Sequence, residues 1–390
     1  MSIGIVSSKI DALALRREWL FPPAVTFLNH GSFGPSPRPV LQARQQWLER
    51  VQSNPMDFFV REYGKHLETA RERLASYIGS ETADLAFVTN ATTAMNSVAA
   101  SVPLQPGDEV LTNDHEYGAV IRLWEHACRQ AGAKLVVQQL PVPFTSSEQL
   151  VDRIVGGITP HTKLLVFSHI TSATAIIFPA DELCRQARQR GVAVCIDGPH
   201  AVSTLPLNLS ALDCDYYLAS CHKWLSAPIG SGFIYVHPRA QATFHPAVLS
   251  WGRLPDEAES RWNYELEWSG THDPAPILSI PAAIDFLDKV GLQSFREYTH
   301  SLAQYARQKI GELTGLEPLT PDSPDWYGSM ISLPLPDGEA MPLQQQLWER
   351  YRIESLIISW QGRRLVRVSC HVYTTAEDID RLANALREVL

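Results

Sequence analysis

The sequence predicts an α/β protein: a large domain on a mainly parallel, seven-stranded sheet, and a smaller α+β domain toward the C-terminus. Three observations predict it. From about residue 85 to 237, short β-branched or aromatic runs alternate with amphipathic stretches, the rhythm of βαβ units. After about residue 240 that rhythm stops, and Pro, Trp and charged residues dominate to about 276. Finally, 390 residues exceed what one hydrophobic core usually organises, so two domains are the natural expectation.

Taken in order, the expected strands are LAFVT (85–89), EVLTN (109–113), KLVVQQL (134–140), KLLVFSHI (163–170), VAVCID (192–197), DYYLAS (215–220) and GFIYVH (232–237). A helix lies between Pro179 and Gly191, because proline suits a first helical turn and glycine the left-handed position after the last. A long helical stretch is expected from Pro281 towards Leu313, followed by the strands MISLPL (330–335) and LVRVSCHV (365–372). The last helix starts at the capping box Thr375-x-x-Asp378 and buries Ile379, Leu382, Ala383 and Leu386 at helical spacing. The expected boundaries are 25–262 for the large domain, with 1–24 and 263–390 forming the small one. The N-terminal arm thereby completes the C-terminal part.

Composition narrows the function. A hydrophobic share of 45% and a charged share of 19% suit a folded globular chain. A net charge of -9 argues against a broad nucleic-acid or acidic-membrane surface, which needs an excess of Lys and Arg. The six cysteines form no CxxC pair, so zinc-ribbon and thioredoxin readings fall away. The N-terminus lacks the basic start and apolar run of a leader, and no apolar stretch is long enough to span a bilayer. A cytoplasmic protein acting on a small molecule is the expectation.

Ligands of parallel sheets bind beyond the carboxyl ends of the strands, so the residues just after each strand carry the search. After LAFVT comes Asn90-Ala91-Thr92-Thr93, whose hydroxyls and amides open a helix and make an anion site. After VAVCI comes Asp197-Gly198-Pro199-His200, and after DYYLA comes Ser220-Cys221-His222-Lys223-Trp224 with a glycine-rich tail to Gly232. Taken singly, each has an ordinary explanation: a helix cap, a turn former, a solvated lysine. Together and in this order, an anion cradle, a carboxylate and a lysine are what pyridoxal 5'-phosphate (PLP) chemistry requires.

These residues carry a resemblance. Ser220-x-His222-Lys223, Asp197-x-x-His200 and Ala91-Thr92-Thr93 resemble the class V aminotransferase family of fold-type I PLP enzymes, which includes the cysteine desulfurases. Asn29-His30-Gly31-Ser32-Phe33-Gly34, His169-Ile170-Thr171-Ser172, Ser250-Trp251-Gly252, Gly270-Thr271-His272-Asp273-Pro274 and Arg367-Val368-Ser369 with Tyr373 resemble its isopenicillin N epimerase-like branch. The resemblance spans about residues 27 to 388.

The resemblance implies that Lys223 bonds the cofactor and moves the proton, and that Asp197 holds the pyridine nitrogen. It places His200 near the phenolic oxygen, with Ser172 where desulfurases usually have Asn. Ala91, Thr92, the Thr93 amide, Ser220 and His222 would hold the phosphate, and Thr271 would reach the phosphate of a second subunit, implying a homodimer with shared sites. The ring-stacking residue aligns as Tyr117, or as His115 if the alignment shifts by two, and Tyr117 would otherwise be a packing residue at a helix start. Arg367 would grip the substrate carboxylate, a task suited to a planar guanidinium, unless it pairs with a structural acid. His30 and Trp251 are further substrate-pocket candidates, and no metal is expected.

The implied activity is chemistry at the α-carbon of an amino acid or a sulfur-containing derivative, as an epimerase or a C-S lyase, with an aminotransferase as the alternative. A catalytically inactive scaffold of the same fold would not need the charges of Lys223, Asp197 and Arg367. The stretch Ile353 to Arg364, upstream of Arg367, holds no cysteine, and Cys370 falls within the expected strand beyond it. No enzyme-bound persulfide is therefore expected.

Overall fold

The protein is described by a computed structural model covering residues 10–253 and 261–390. The first nine residues of the expected N-terminal arm, and residues 254–260 just before the expected boundary at 262, lie outside the described residues.

All seven expected strands form one sheet: β1 (Leu85–Val88), β2 (Glu109–Asn113), β3 (Lys134–Gln138), β4 (Thr162–Ser168), β5 (Ala193–Asp197), β6 (Tyr216–Ser220) and β7 (Gly232–Val236). Their spatial order is β1-β7-β6-β5-β4-β2-β3. β7 pairs antiparallel with both of its neighbours and the other pairings are parallel, so the carboxyl ends of the remaining six strands share one edge.

The side chains of the central strands alternate between two apolar layers. Leu165, Phe167, Val194, Ile196, Tyr217 and Ala219 face one core, while Leu164, Val166, Cys195, Tyr216 and Leu218 face the other. This is period-two chemistry with both faces covered, which is why the runs read as continuously hydrophobic. Each buried Leu, Ile or Val contributes about 1.5–3 kcal/mol. The same alternation aims Ser168, Asp197 and Ser220, the last residues of β4, β5 and β6, toward the second face. There the helix Ala91–Ser101 packs through Ala94, Met95 and Val98. Register sets Ser168 opposite Asp197, with Ser220 two residues beyond Leu218, the partner of Asp197 on β6.

A second, antiparallel sheet is built from β8 (Met330–Leu335), β9 (Leu356–Trp360) and β10 (Arg363–Ser369), in the order β9-β10-β8. The final helix, Ala376–Val389, opens on the expected capping box and buries Ile379, Leu382, Ala383 and Leu386.

Three expectations are corrected. The helical stretch from Pro281 is two helices, Ile280–Val290 and Leu292–Thr314, because Gly291 between them adopts φ 87°. Pro179 is the cap before Ala180–Gln189 rather than a first-turn residue. The strand expected to run through Cys370 ends at Ser369, and the in-register bond from the Cys370 amide to the Ser329 carbonyl is the last between the two segments.

Candidate active site

At the carboxyl edge of the large sheet lies a cavity of about 720 Å³, within the usual range for small-molecule sites. Its walls include Ala91, Thr92, Thr93, Tyr117, Ser172, Asp197, His200, Ser220, His222, Lys223 and Arg367, brought together from loops far apart in sequence.

One end is the start of the helix Ala91–Ser101. Asn90 caps it, its side-chain oxygen accepting from the Thr93 amide at 3.0 Å, while the Ala91 amide donates to Ser220 Oγ at 3.0 Å. The expectation that the Thr93 amide serves an anion is thus met by a competitor already in place, and the Thr92 amide and hydroxyl are what the first turn offers the cavity. Gly232 lets this cap sit so close: a Cβ there would lie 2.7 Å from the Ala219 carbonyl and 3.1 Å from Asn90 Cα. His222 adds a buried Nδ1 with no partner among the described residues.

The middle of the cavity holds Asp197 and Lys223. Asp197 Oδ1 is buried without a hydrogen bond among the described residues, and burial pushes the carboxyl up to about 7, Glu116 acting in the same direction and Lys223 against it. Burial pushes the Lys223 amine down to about 8, with Asp197 opposing. Its Nζ lies 3.2 Å from His200 Nε2. The turn carrying Lys223 is closed by the Ser226 amide donating to the Lys223 carbonyl, with Ser226 held at φ 57°. Gly34 presses on that same carbonyl, where an added Cβ would lie 2.3 Å away. The glycine is there for a close approach and not for a turn.

Arg367, on β10, occupies the far wall. It is buried and touches no carboxylate among the described residues: Nη1 donates to the Ser172 carbonyl at 2.9 Å, and Nη2 to Ser32 Oγ at 2.7 Å and Asn29 Oδ1 at 3.3 Å. Its Nε has no partner among the described residues, and burial lowers the guanidinium to about 10. Among the described residues, no structural acid pairs with it. A buried cation surrounded by neutral acceptors awaits an anion.

Of the remaining expected residues, Tyr117 lines the cavity and is half exposed, whereas His115 is buried elsewhere, bonded to Thr174 Oγ1 and the Leu140 carbonyl. His30 is buried behind the lysine, with Nε2 at 3.0 Å from the Lys223 carbonyl and Nδ1 at 2.8 Å from the Tyr373 hydroxyl, and it does not line the cavity. Trp251 is 88% exposed and lies outside the walls, because its turn folds back onto Trp268 through Ser250. Thr271 is exposed and also outside them. Sequence reasoning did not assign Asn29 and Ser32, which hold Arg367, or Glu116, whose carboxylate accepts from Ser168 Oγ and the Tyr117 amide next to Asp197. The Asn29–Gly34 motif was the available signal for the first two.

The unpartnered atoms test the cofactor. A protonated pyridine nitrogen suits Asp197 Oδ1, a phosphate suits the helix start with His222 and Ser220, and an aldehyde carbon suits the Lys223 amine, so PLP fits the residues present.

Comparison with known proteins agrees with this geometry. The family model described as Aminotransferase class-V matches residues 27–382. The chain is 40% identical over 388 residues to isopenicillin N epimerase of Amycolatopsis lactamdurans, covering 96% of this chain and 97% of that one. It is 27% identical over 428 residues to putative L-cysteine desulfhydrase 1 of Oryza sativa subsp. japonica, covering 98% and 87%. A solved complex of the cystine C-S lyase C-DES with its product cysteine persulfide superposes with a TM-score of 0.83 at 21% identity, over 94% and 98% of the two chains, a likeness of fold. The chain belongs to the class V aminotransferase family and is a PLP-dependent enzyme.

Proposed function

We propose that the enzyme moves a proton at the α-carbon of an amino acid whose carboxylate Arg367 holds, acting as an epimerase of the isopenicillin N epimerase type. One observation carries this reading: a buried guanidinium without an acidic partner among the described residues lines the same cavity as a buried lysine amine and a carboxylate. The epimerase relative at 40% identity supports the outcome. The desulfhydrase relative supports a second reading, loss of a β-thiol from a sulfur-containing amino acid, which begins with removal of the same proton.

When bound, PLP withdraws electron density from the substrate's α-carbon and acidifies its proton. Asp197 keeps the cofactor's ring nitrogen protonated, and that positive charge returns the carboxylate to its ionised form. Lys223 would hold the cofactor at its aldehyde carbon, and its amine, when free, would move the α-proton. Arg367, steadied by Asn29, Ser32 and Ser172, fixes the substrate carboxylate by a two-pronged contact and so sets which bond faces the lysine. Tyr117 offers its ring as a stacking face, and Thr92, Ser220 and His222 hold the phosphate.

We further propose a cytoplasmic homodimer with shared sites. Six unpaired cysteines suit a reducing compartment. Phe33, on the cavity wall, is 72% exposed, and Ile229, Val248, Leu249 and Trp251 are each more than half exposed. Large apolar side chains left in water suit cover by another copy. Thr271, exposed on its own chain, is available to that copy's phosphate.

The test is incubation with amino acids, including cysteine, cystine and S-conjugates, in heavy water. Deuterium at the α-carbon with altered chirality supports epimerisation; pyruvate with released thiol shifts the assignment to the lyase. Keto acid formed in step with an added amino-group acceptor would overturn both in favour of transamination.

A further inference from the structure

The side chain next to the reactive lysine controls a proton as well as filling space. Trp224 is buried, and its indole N–H lies 3.1 Å from Nδ1 of His200. An indole nitrogen can only donate, so Nδ1 must accept. A neutral imidazole that accepts at Nδ1 carries its hydrogen at Nε2, and Nε2 is the atom 3.2 Å from Lys223 Nζ. Burial holds His200 well below its usual range, so the ring is neutral. Its Nε2–H therefore points at a lysine nitrogen that has to offer a lone pair, which an ammonium lacks. The other charged or titratable groups facing this pair are Asp197 on β5, Glu116 beside it, His222, and Arg367 on β10.

We infer that Trp224 is a positioning residue, which locks His200 in the tautomer that presents Nε2–H to Lys223 and thereby favours the uncharged amine able to bond an aldehyde carbon. The inference rests on the reading of Lys223 as the cofactor-bonding lysine. Without the indole donor, the imidazole can place its hydrogen on Nδ1 and turn a lone pair toward an ammonium, which stabilises the charged lysine instead. A tryptophan that merely packs would leave the lysine's protonation untouched.

The full chain freed of cofactor is acylated over a range of pH, and labelling of Lys223 is followed by peptide mass spectrometry. In Trp224→Phe the labelling midpoint should move up by about one pH unit, and the rate of PLP recapture at neutral pH should fall roughly tenfold, in step with the smaller share of free amine. In a His200→Ala background the same substitution should leave the midpoint where it is. An unmoved midpoint in folded Trp224→Phe overturns the inference. A measurement without any variant decides the case if that protein does not fold: nitrogen-15 spectra of histidine-labelled wild type should show His200 protonated at Nε2, and protonation at Nδ1 overturns the inference. Borohydride reduction of the loaded enzyme separates the two failures, since an adduct on another lysine removes the underlying reading of Lys223 itself.

Discussion

At the residue scale, the site is a set of charges held out of water, and each makes a measurable demand. Asp197 in the cofactor-free protein has its carboxyl raised to about 7, above its unfolded value, so its favourable contribution is complete at acid pH and is lost as pH rises through about 7. Asp197→Asn should therefore leave the melting temperature of the cofactor-free protein unchanged near pH 4 and raise it above pH 7, while lowering turnover by orders of magnitude. Equal melting curves at pH 8 would show that burial does not raise this carboxyl above its unfolded value. Arg367→Lys keeps the charge but loses the two-pronged geometry, so kcat/KM should fall roughly 10- to 100-fold, with cofactor affinity little changed. Unaltered kinetics on a verified substrate would remove Arg367 from the site. The cysteines make the opposite demand. All six are buried, none lines the cavity, and burial pushes the Cys370 thiol far up. Incubation with cysteine should leave no protein persulfide detectable by mass spectrometry, because only an accessible thiolate accepts sulfur.

At the element scale, strand ends and close approaches do the positioning. The register of β4, β5 and β6 sets Ser168 beside Asp197, and a slip of one residue would turn the carboxylate toward the opposite core. The loop Asn29–Gly34 wedges between the lysine turn and β10: Asn29 and Ser32 reach Arg367, and Gly34 touches the Lys223 carbonyl. Gly34→Ala should cost about 1–3 kcal/mol by overpacking and speed cofactor loss, read by thermal melting and by release of the yellow chromophore. No change in either would show that this loop leaves the lysine turn alone. The stretch upstream of Arg367 is the tight hairpin of β9 and β10, with Gln361 at φ 47° and Gly362 at φ 75° at its tip. That pair of left-handed residues matches the twist of the strands and brings Leu356 to the cavity wall.

At the scale of the whole molecule, the exposed apolar side chains and Thr271 make assembly the test. The enzyme should sediment as a dimer, and Thr271→Ala should loosen the cofactor several-fold without dissociating the protein; a fully active monomer would contradict shared sites. Legibility followed the range of the interactions. The strands were readable because burial on both faces demands unbroken β-branched and aromatic runs, and the final helix because its capping box is local. Lys223, Asp197 and the Thr92 turn were readable because parallel strands deliver their ends to one edge, so strand order alone places those residues near one another. The helical pattern from Pro281 runs on across Gly291, and only its positive φ in the structure makes it a break. Whether Tyr117 or His115 reaches the cavity could not be decided by sequence spacing, since that depends on His115 finding Thr174 and Leu140 across the fold. The same holds for Trp251, turned outward, for His30, placed behind the lysine, and for the bond from Trp224 to His200. What the sequence determined by itself was the pattern of burial and local backbone chemistry, hence the sheet, its active edge and the residues on it. Tertiary structure alone decided which side chains meet across that edge, because those contacts join segments tens to hundreds of residues apart and depend on packing that no local pattern encodes.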